Sequence, residues 1–144
     1  MTYLLDTCIL SKLRKLKAKP DPMLEKWIED HKGQQFYLSA LTLGEIQQGI
    51  YKLEQDQIKR ILEEWLYGYL MPRFKDRILP IDQSVSLKWG EISGSYLKRG
   101  ISLPLADALI AATGIVNDLI IVTENIKGFS KIKEAKVFSP WECI

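Results

Sequence analysis

Three acidic residues fall at equivalent places in this sequence. Asp6 directly follows the short apolar run Tyr3-Leu4-Leu5. Glu45 falls in the expected first turn of a helix opened by Thr42, after the run Phe36-Tyr37-Leu38. Asp107 falls in the expected first turn of a helix with Pro104 at its start. In open α/β sheets, ligands bind outside the carboxyl ends of the strands. Carboxylates gathered there repel one another unless a cation sits among them. Hard oxygen ligands favour Mg²⁺ or Mn²⁺. Such an ion activates a water and stabilises the charge that builds up on a phosphodiester.

Each acid also has a purely structural use. Thr42-Leu43-Gly44-Glu45 fits a capping box, in which Glu45 bonds only the Thr42 backbone N–H. Asp107 suits the positive end of its helix. Asp6 suits the N-cap of the helix that follows it. Their shared placement beside strand ends is what favours a site. Residues 12–19 carry five basic side chains just after Asp6. They are either a grip for a phosphate backbone or a solvated helix face. His31 is the only histidine. It has no partner for a triad or a zinc site, so it is assigned no role.

The elements that must position these acids follow from periodicity. Tyr3-Leu5 and Phe36-Leu38 read as short buried strands. Residues 9–18 read as a helix broken by Pro20-Asp21-Pro22. A second helix runs from about Met23 to His31 and is closed by Gly33. The helix from Thr42 carries Leu43, Ile46, Ile50 and Leu53. The clearest helix carries Ile58, Ile61, Leu62, Trp65, Leu66, Tyr69 and Leu70 at i, i+3, i+4 spacing, with Pro72 expected to end it. Ile78-Ile81 is extended. Val85, Trp89, Ile92 and Tyr96 mark one face of a helix ended near Gly100. Leu105-Val116 is alanine-rich and suited to lie close on a sheet. Leu119-Val122 is a β-branched run fit for a sheet buried on both faces. Lys136-Phe138 is the last short strand. Strands alternating with helices predict an α/β domain, a short mainly parallel sheet flanked by helices. The aromatic side chains at helical spacing read as core before base-stacking platforms.

Bulk properties narrow the class. The chain has 144 residues, 47% of them hydrophobic and 26% charged. That length favours one domain over residues 1–144, large enough to bury a core without staples. The net charge is only +2, so any basic nucleic-acid surface must be local. Cys8 and Cys143 form no zinc-type or CxxC spacing, and a reducing cytoplasm is the simpler expectation than a disulfide. MTYLLDTCIL carries no signal-peptide pattern, and no apolar run is long enough for a membrane helix. A soluble cytoplasmic protein is the default.

The same residues carry a family resemblance. The segment from Tyr3 to Lys15, YLLDTCILSKLRK, resembles the opening of PIN-domain toxins of the VapC/FitB type. The segment from Tyr37 to Gly49, YLSALTLGEIQQG, resembles their second acidic motif. LPLADALIAA, from Leu103 to Ala112, resembles their third. VTENIKGF, from Val122 to Phe129, and Ser139-Pro140-Trp141 resemble their closing segments. Several motifs in order are far more specific than one. The resemblance implies a PIN fold, a Mg²⁺- or Mn²⁺-dependent RNA endonuclease, homodimers, and inhibition by a small cognate antitoxin. It implies Asp6, Glu45 and Asp107 as metal ligands. The 58–70 helix and Trp89 are candidate dimer elements, with core packing the first expectation of each.

Three positions depart from the family pattern. Cys8 stands where Asn is usual, Glu124 where Arg is usual, and Gly128 where an Asp precedes Phe129. Asn125 occupies the central place of the fourth motif, and Glu124 is the nearest carboxylate. Neighbouring strand residues point to opposite faces, so both face the site only if the strand has already ended. A second expectation is therefore a PIN fold that binds RNA or an antitoxin but cuts weakly. A different α/β enzyme fits less well. A haloacid-dehalogenase-type phosphatase wants a second Asp where Cys8 stands, and a receiver domain wants an acidic pair where Asp6 is alone.

Overall fold

In the computed structural model, residues 1–142 are described. Cys143, and with it any pairing to Cys8, lies outside the described residues. Five strands form one sheet in the order β3-β2-β1-β4-β5. These are β1 (Thr2–Leu5), β2 (Gln35–Ser39), β3 (Ile78–Leu79), β4 (Ile120–Val122) and β5 (Lys136–Phe138). Every pairing is parallel. The chain winds outward from β1 to β2 and β3, then crosses to build β4 and β5 on the other side. The topological switch point therefore lies between β1 and β4, the crevice where open parallel sheets bind ligands.

The period-2 pleat sorts the core into two layers. Tyr3, Leu5, Leu38 and Val122 pack with Ile9, Leu24, Trp27 and Leu66 on one face. Leu4 and Ile121 pack with Val85, Ile92, Ile110, Ala111 and Phe129 on the other. Helix α7 (Leu105–Val116) lies against β4. Ala108, Ala111 and Ala112 are buried, and a Cβ built on Gly114 would stand 3.0 Å from Ile121 Cγ1. The small residues let helix and strand approach.

Several boundaries differ from expectation. Helix α1 is Thr7–Arg14, so Lys15–Lys19 lie in turns rather than in a helix. Helix α2 is Pro22–Asp30, capped by Asp21, with His31 at its C-cap and Gly33 at φ 87°. Helix α3 (Ala40–Tyr51) begins two residues before Thr42, because the Ser39 hydroxyl caps Leu41 N–H. The Thr42 capping box is therefore not formed, and Glu45 sits in the second turn. Pro72 does not end the long helix. Helix α4 (Asp56–Trp65) passes into a π-helical turn (Leu66–Leu70) and then α5 (Met71–Arg73). Proline is tolerated at the first turn of a segment. The π turn resets the helical phase. Leu66 and Leu70 are buried, whereas Ile58, Ile61 and Tyr69 are exposed. Helix α6 (Gln83–Leu97) matches its expected face. Helix α8 (Ile126–Ser130) was not expected from periodicity. No helix among the described residues is long and apolar enough to cross a membrane.

Candidate functional site

The carboxyl ends of β1, β2 and β4 each deliver polar side chains to the switch point. Asp6 is nine-tenths buried and caps α1. Its Oδ1 accepts the Thr7 N–H at 2.8 Å, and its Oδ2 accepts the Thr123 hydroxyl at 2.7 Å. The Cys8 thiol also faces Oδ2, at 3.5 Å. Burial and then the Asp6 charge push that thiol up to about 11, so it stays protonated. Asp6 thus holds both the structural role and the site position.

Glu45 is tied to the same corner. The Thr7 hydroxyl donates to Glu45 Oε1 at 2.7 Å and lies 3.1 Å from Thr42 Oγ1. A hydroxyl carries one proton, so with that proton on the carboxylate the Thr42 hydroxyl serves Thr7 as donor. Asp107 stands in the first turn of α7. Its carboxyl is held above the ordinary value, first by burial and then by the Asp6 charge. A like charge nearby disfavours the ionised form of a carboxyl group.

The strand has ended by the fourth position, since β4 stops at Val122. Alternation therefore does not decide between Glu124 and Asn125. Glu124 turns to Lys12, with Oε2 2.9 Å from the ammonium. Asn125 caps α8, its Oδ1 accepting the Gly128 N–H at 3.2 Å. Its Nδ2 faces Asp107 Oδ2 at 3.5 Å. A Cβ built on Gly128 would overlap the Asn125 amide. The glycine at 128 and this Asn125 rotamer therefore go together. An Asp at 128 would force the amide away.

Thr7 thus links Asp6 to Glu45, and Asn125 faces Asp107, whose carboxyl feels the Asp6 charge. Of the threonines that orient them, Thr42 is read from sequence only as a helix opener and cap, and Thr7 and Thr123 are not singled out. Thr7, Thr42 and Thr123 look like ordinary strand-end and helix-start residues. Their one signal is adjacency, Thr7 beside Asp6 and Thr123 two before Asn125. Thr123 is fully buried and also accepts the Asn125 N–H at 2.9 Å.

The basic stretch divides. Lys12, Lys15 and Lys19 line an open pocket of about 500 Å³ together with Cys8, Asp21 and Glu124. Arg14 turns away, its guanidinium 5.8 Å from the centre of the Trp65 ring. His31 serves α2, its Nδ1 2.7 Å from the Trp27 carbonyl oxygen.

The donor set is all oxygen and amide, suited to a hard divalent ion and not to zinc. Among the described residues, no three His, Cys, Asp or Glu side chains are already arranged to hold an ion. The Asp6–Asp107 repulsion is the force that a cation would relieve, so the residues present fit one.

A five-stranded parallel sheet with acids gathered at its switch point defines a class. Residues 3–135 match the PIN domain family model, and the chain belongs to that family. Within it, the chain is 32% identical to toxin FitB of Neisseria gonorrhoeae over 96% of this chain and 97% of that protein. It is 28% identical to VapC ribonuclease Y4jK of Sinorhizobium fredii, over 96% of each. Its fold superposes on the crystal structure of FitAcB from Neisseria gonorrhoeae with a TM-score of 0.85. There it is 33% identical, covering 99% of this chain and 100% of the other. FitAB bound to a DNA fragment gives 0.86 at 29% identity, covering 100% and 98%.

Proposed function

We propose that this chain is a single PIN domain acting as a divalent-metal-dependent RNA endonuclease, the toxin half of a toxin–antitoxin pair. The observation that carries it is the Asp6 charge acting on the Asp107 carboxyl beside the switch point of a PIN fold, with Glu45 tied to Asp6 through Thr7 and Asn125 facing Asp107. Relatives of the same length are named as ribonucleases and toxins. Asp6, Glu45 and Asp107 would hold Mg²⁺ or Mn²⁺, which when bound supplies an activated water and stabilises charge on the scissile phosphate. Thr7 and Thr123 fix the rotamers of Glu45 and Asp6. Asn125 orients Asp107 and adds a neutral polar group beside the reacting phosphate. A small antitoxin, a homodimer and a cytoplasmic setting complete the reading. The test is cleavage of single-stranded RNA by the purified chain. We expect cleavage with Mg²⁺ or Mn²⁺, none in EDTA, and at least a hundredfold loss in Asp107→Asn. Undiminished cleavage in EDTA overturns the metal mechanism.

A second reading, a PIN fold that holds RNA or an antitoxin but cuts weakly, is favoured by one observation. The fourth position is the neutral Asn125, so the site carries three ionisable acids rather than four. Asn125→Asp separates the two readings. It keeps the cap on Gly128 N–H and adds a charge beside Asp107. On the nuclease reading, half-maximal cleavage then requires less Mg²⁺. Wild-type and Asn125→Asp proteins that are equally inactive at every Mg²⁺ concentration favour the binding reading.

A further inference from the structure

The pocket beside Asp6 has a wall that the acid site does not use. Lys12 and Glu124 form an ion pair across it at 2.9 Å. The ammonium also lies 5.2 Å from the centre of the Trp141 ring. That ring is fixed in turn, because its Nε1–H donates to both Asp21 oxygens at 3.0 Å. Lys15 and Lys19 line the same pocket. Cys8 joins it to the acids, lining the pocket while its thiol faces Asp6. A half-exposed ion pair is worth little to stability, typically ~0–1 kcal/mol. As a recognition element it is specific, because it sets one strong donor beside one acceptor-only carboxylate.

Resting on the ribonuclease reading above, we infer that this pocket takes one guanine nucleotide of a single-stranded RNA, with the Lys12–Glu124 pair reading its Watson–Crick edge. Unpaired bases in RNA are read on that edge. Guanine presents an acceptor, O6, next to two donors, N1–H and N2–H₂. Lys12 donates to O6, a pairing common to lysine and guanine. Both Glu124 oxygens then accept, one from each adjacent N–H. Adenine offers one donor beside one acceptor, and cytosine one donor beside two acceptors, N3 and O2, so both lose contacts to the carboxylate. Uracil turns a second acceptor, O2, towards the carboxylate and is repelled. Lys15 and Lys19 take the flanking phosphates, which position without reading sequence. The pocket volume lies in the ~300–1,000 Å³ range that holds small ligands. Glu124 replaces the arginine usual in the resembling toxins, so the preference belongs to this chain rather than to its class.

The test uses mononucleotides, so that it does not depend on cleavage. The full-length protein is titrated with GMP, IMP, AMP and CMP by calorimetry. Inosine lacks the N2 amine and is otherwise guanine, so GMP should bind about tenfold more tightly than IMP, the worth of one charge-assisted hydrogen bond. Glu124→Gln should bring the two within about twofold. Lys15→Ala with Lys19→Ala should weaken all four nucleotides alike and flatten the salt dependence, as phosphate contacts do. Equal affinity for GMP and IMP in the wild type overturns the inference. So does a GMP preference that survives Glu124→Gln. Discrimination retained by a protein that cuts no RNA upholds the pocket and instead removes the ribonuclease reading.

Discussion

At the scale of single residues, charge picks out the three acids in the sequence, and nothing there picks out the hydroxyls that bond to them. Asp6, Glu45 and Asp107 announce themselves by charge at apolar boundaries. The hydroxyls of Thr7 and Thr123 do not, because their partners are 38 and 117 residues away. No local pattern encodes a hydrogen bond of that span. The departure at Asn125 was visible, but its consequence depended on a backbone fact, the end of β4 at Val122. The cost of gathering the acids makes a prediction. The folded state holds the Asp107 carboxyl above its ordinary value, through burial and then Asp6. A raised folded pKa means that the native state binds the proton more tightly than the unfolded chain does. Stability is therefore lost as pH rises from the ordinary carboxylate value through the folded one. In EDTA, Asp107→Asn should then melt at or above wild type at pH 7, while at pH 3 the advantage disappears. Saturating Mg²⁺ should restore wild type, by about 2.7 kcal/mol at a hundredfold excess over Kd. Calorimetric melts of both proteins with and without metal decide this. Marked destabilisation of Asp107→Asn at pH 7 in EDTA would mean that the carboxylate is structural.

At the scale of elements, periodicity gave types more securely than ends. The apolar strands read true because a buried parallel strand is a continuous hydrophobic run. Helix starts were misplaced wherever the cap was a strand-end residue, as at Ser39, since a strand and a cap compete for the same letter. The 58–73 segment was misread more deeply. Before the π turn, Leu62, Trp65 and Leu66 face the core while Ile58 and Ile61 stay exposed at the edge of the stripe, and the π turn that follows puts Tyr69 out of phase. The closeness of α7 to β4, by contrast, was foreseen from its alanines, and it can be tested at Gly114. Valine there gains helix propensity over glycine. Its methyls, however, must displace Ile121, whose Cγ1 already meets even a Cβ at 3.0 Å. Overpacking of this kind costs about 1–3 kcal/mol. We expect Gly114→Val to lower the urea midpoint, and the same change at exposed Gly44, with nothing near its Cβ, to leave it level or raise it. Equal midpoints for Gly114→Val and wild type would show the helix–strand contact to be loose.

At the scale of the whole molecule, the proposed homodimer needs a face, and the exposure pattern selects one. Sequence had offered the 58–70 helix and Trp89. Trp89 is spent on the core layer that holds Val85 and Ile92. Ile58 and Ile61 are exposed, but beside Glu63, Glu64 and Lys59, a mixed charged surface. Helix α6 is different. Leu87 and Leu97 are 71% and 57% exposed. Gly90 and Gly94 fall between them, with nothing near the space of either Cβ. Positions 87, 90, 94 and 97 share one side of a helix. They make a stripe about 15 Å long, with a leucine at each end and no side chain in the middle. Two such stripes can cross closely, each leucine seating over the other's glycines, in an isologous two-fold contact. Burying a leucine is worth about 1.5–3 kcal/mol. In a two-fold dimer each substitution acts twice, so one charge at the stripe is felt at both ends of the contact. We therefore expect light scattering at micromolar concentration to give a dimer for wild type and for Ile61→Glu, and a monomer for Leu87→Glu. Circular dichroism melts of Leu87→Glu should stay cooperative, since Leu87 packs against nothing in its own core. A Leu87→Glu protein that remains dimeric, or an Ile61→Glu protein that falls apart, would move the interface from α6 to α4.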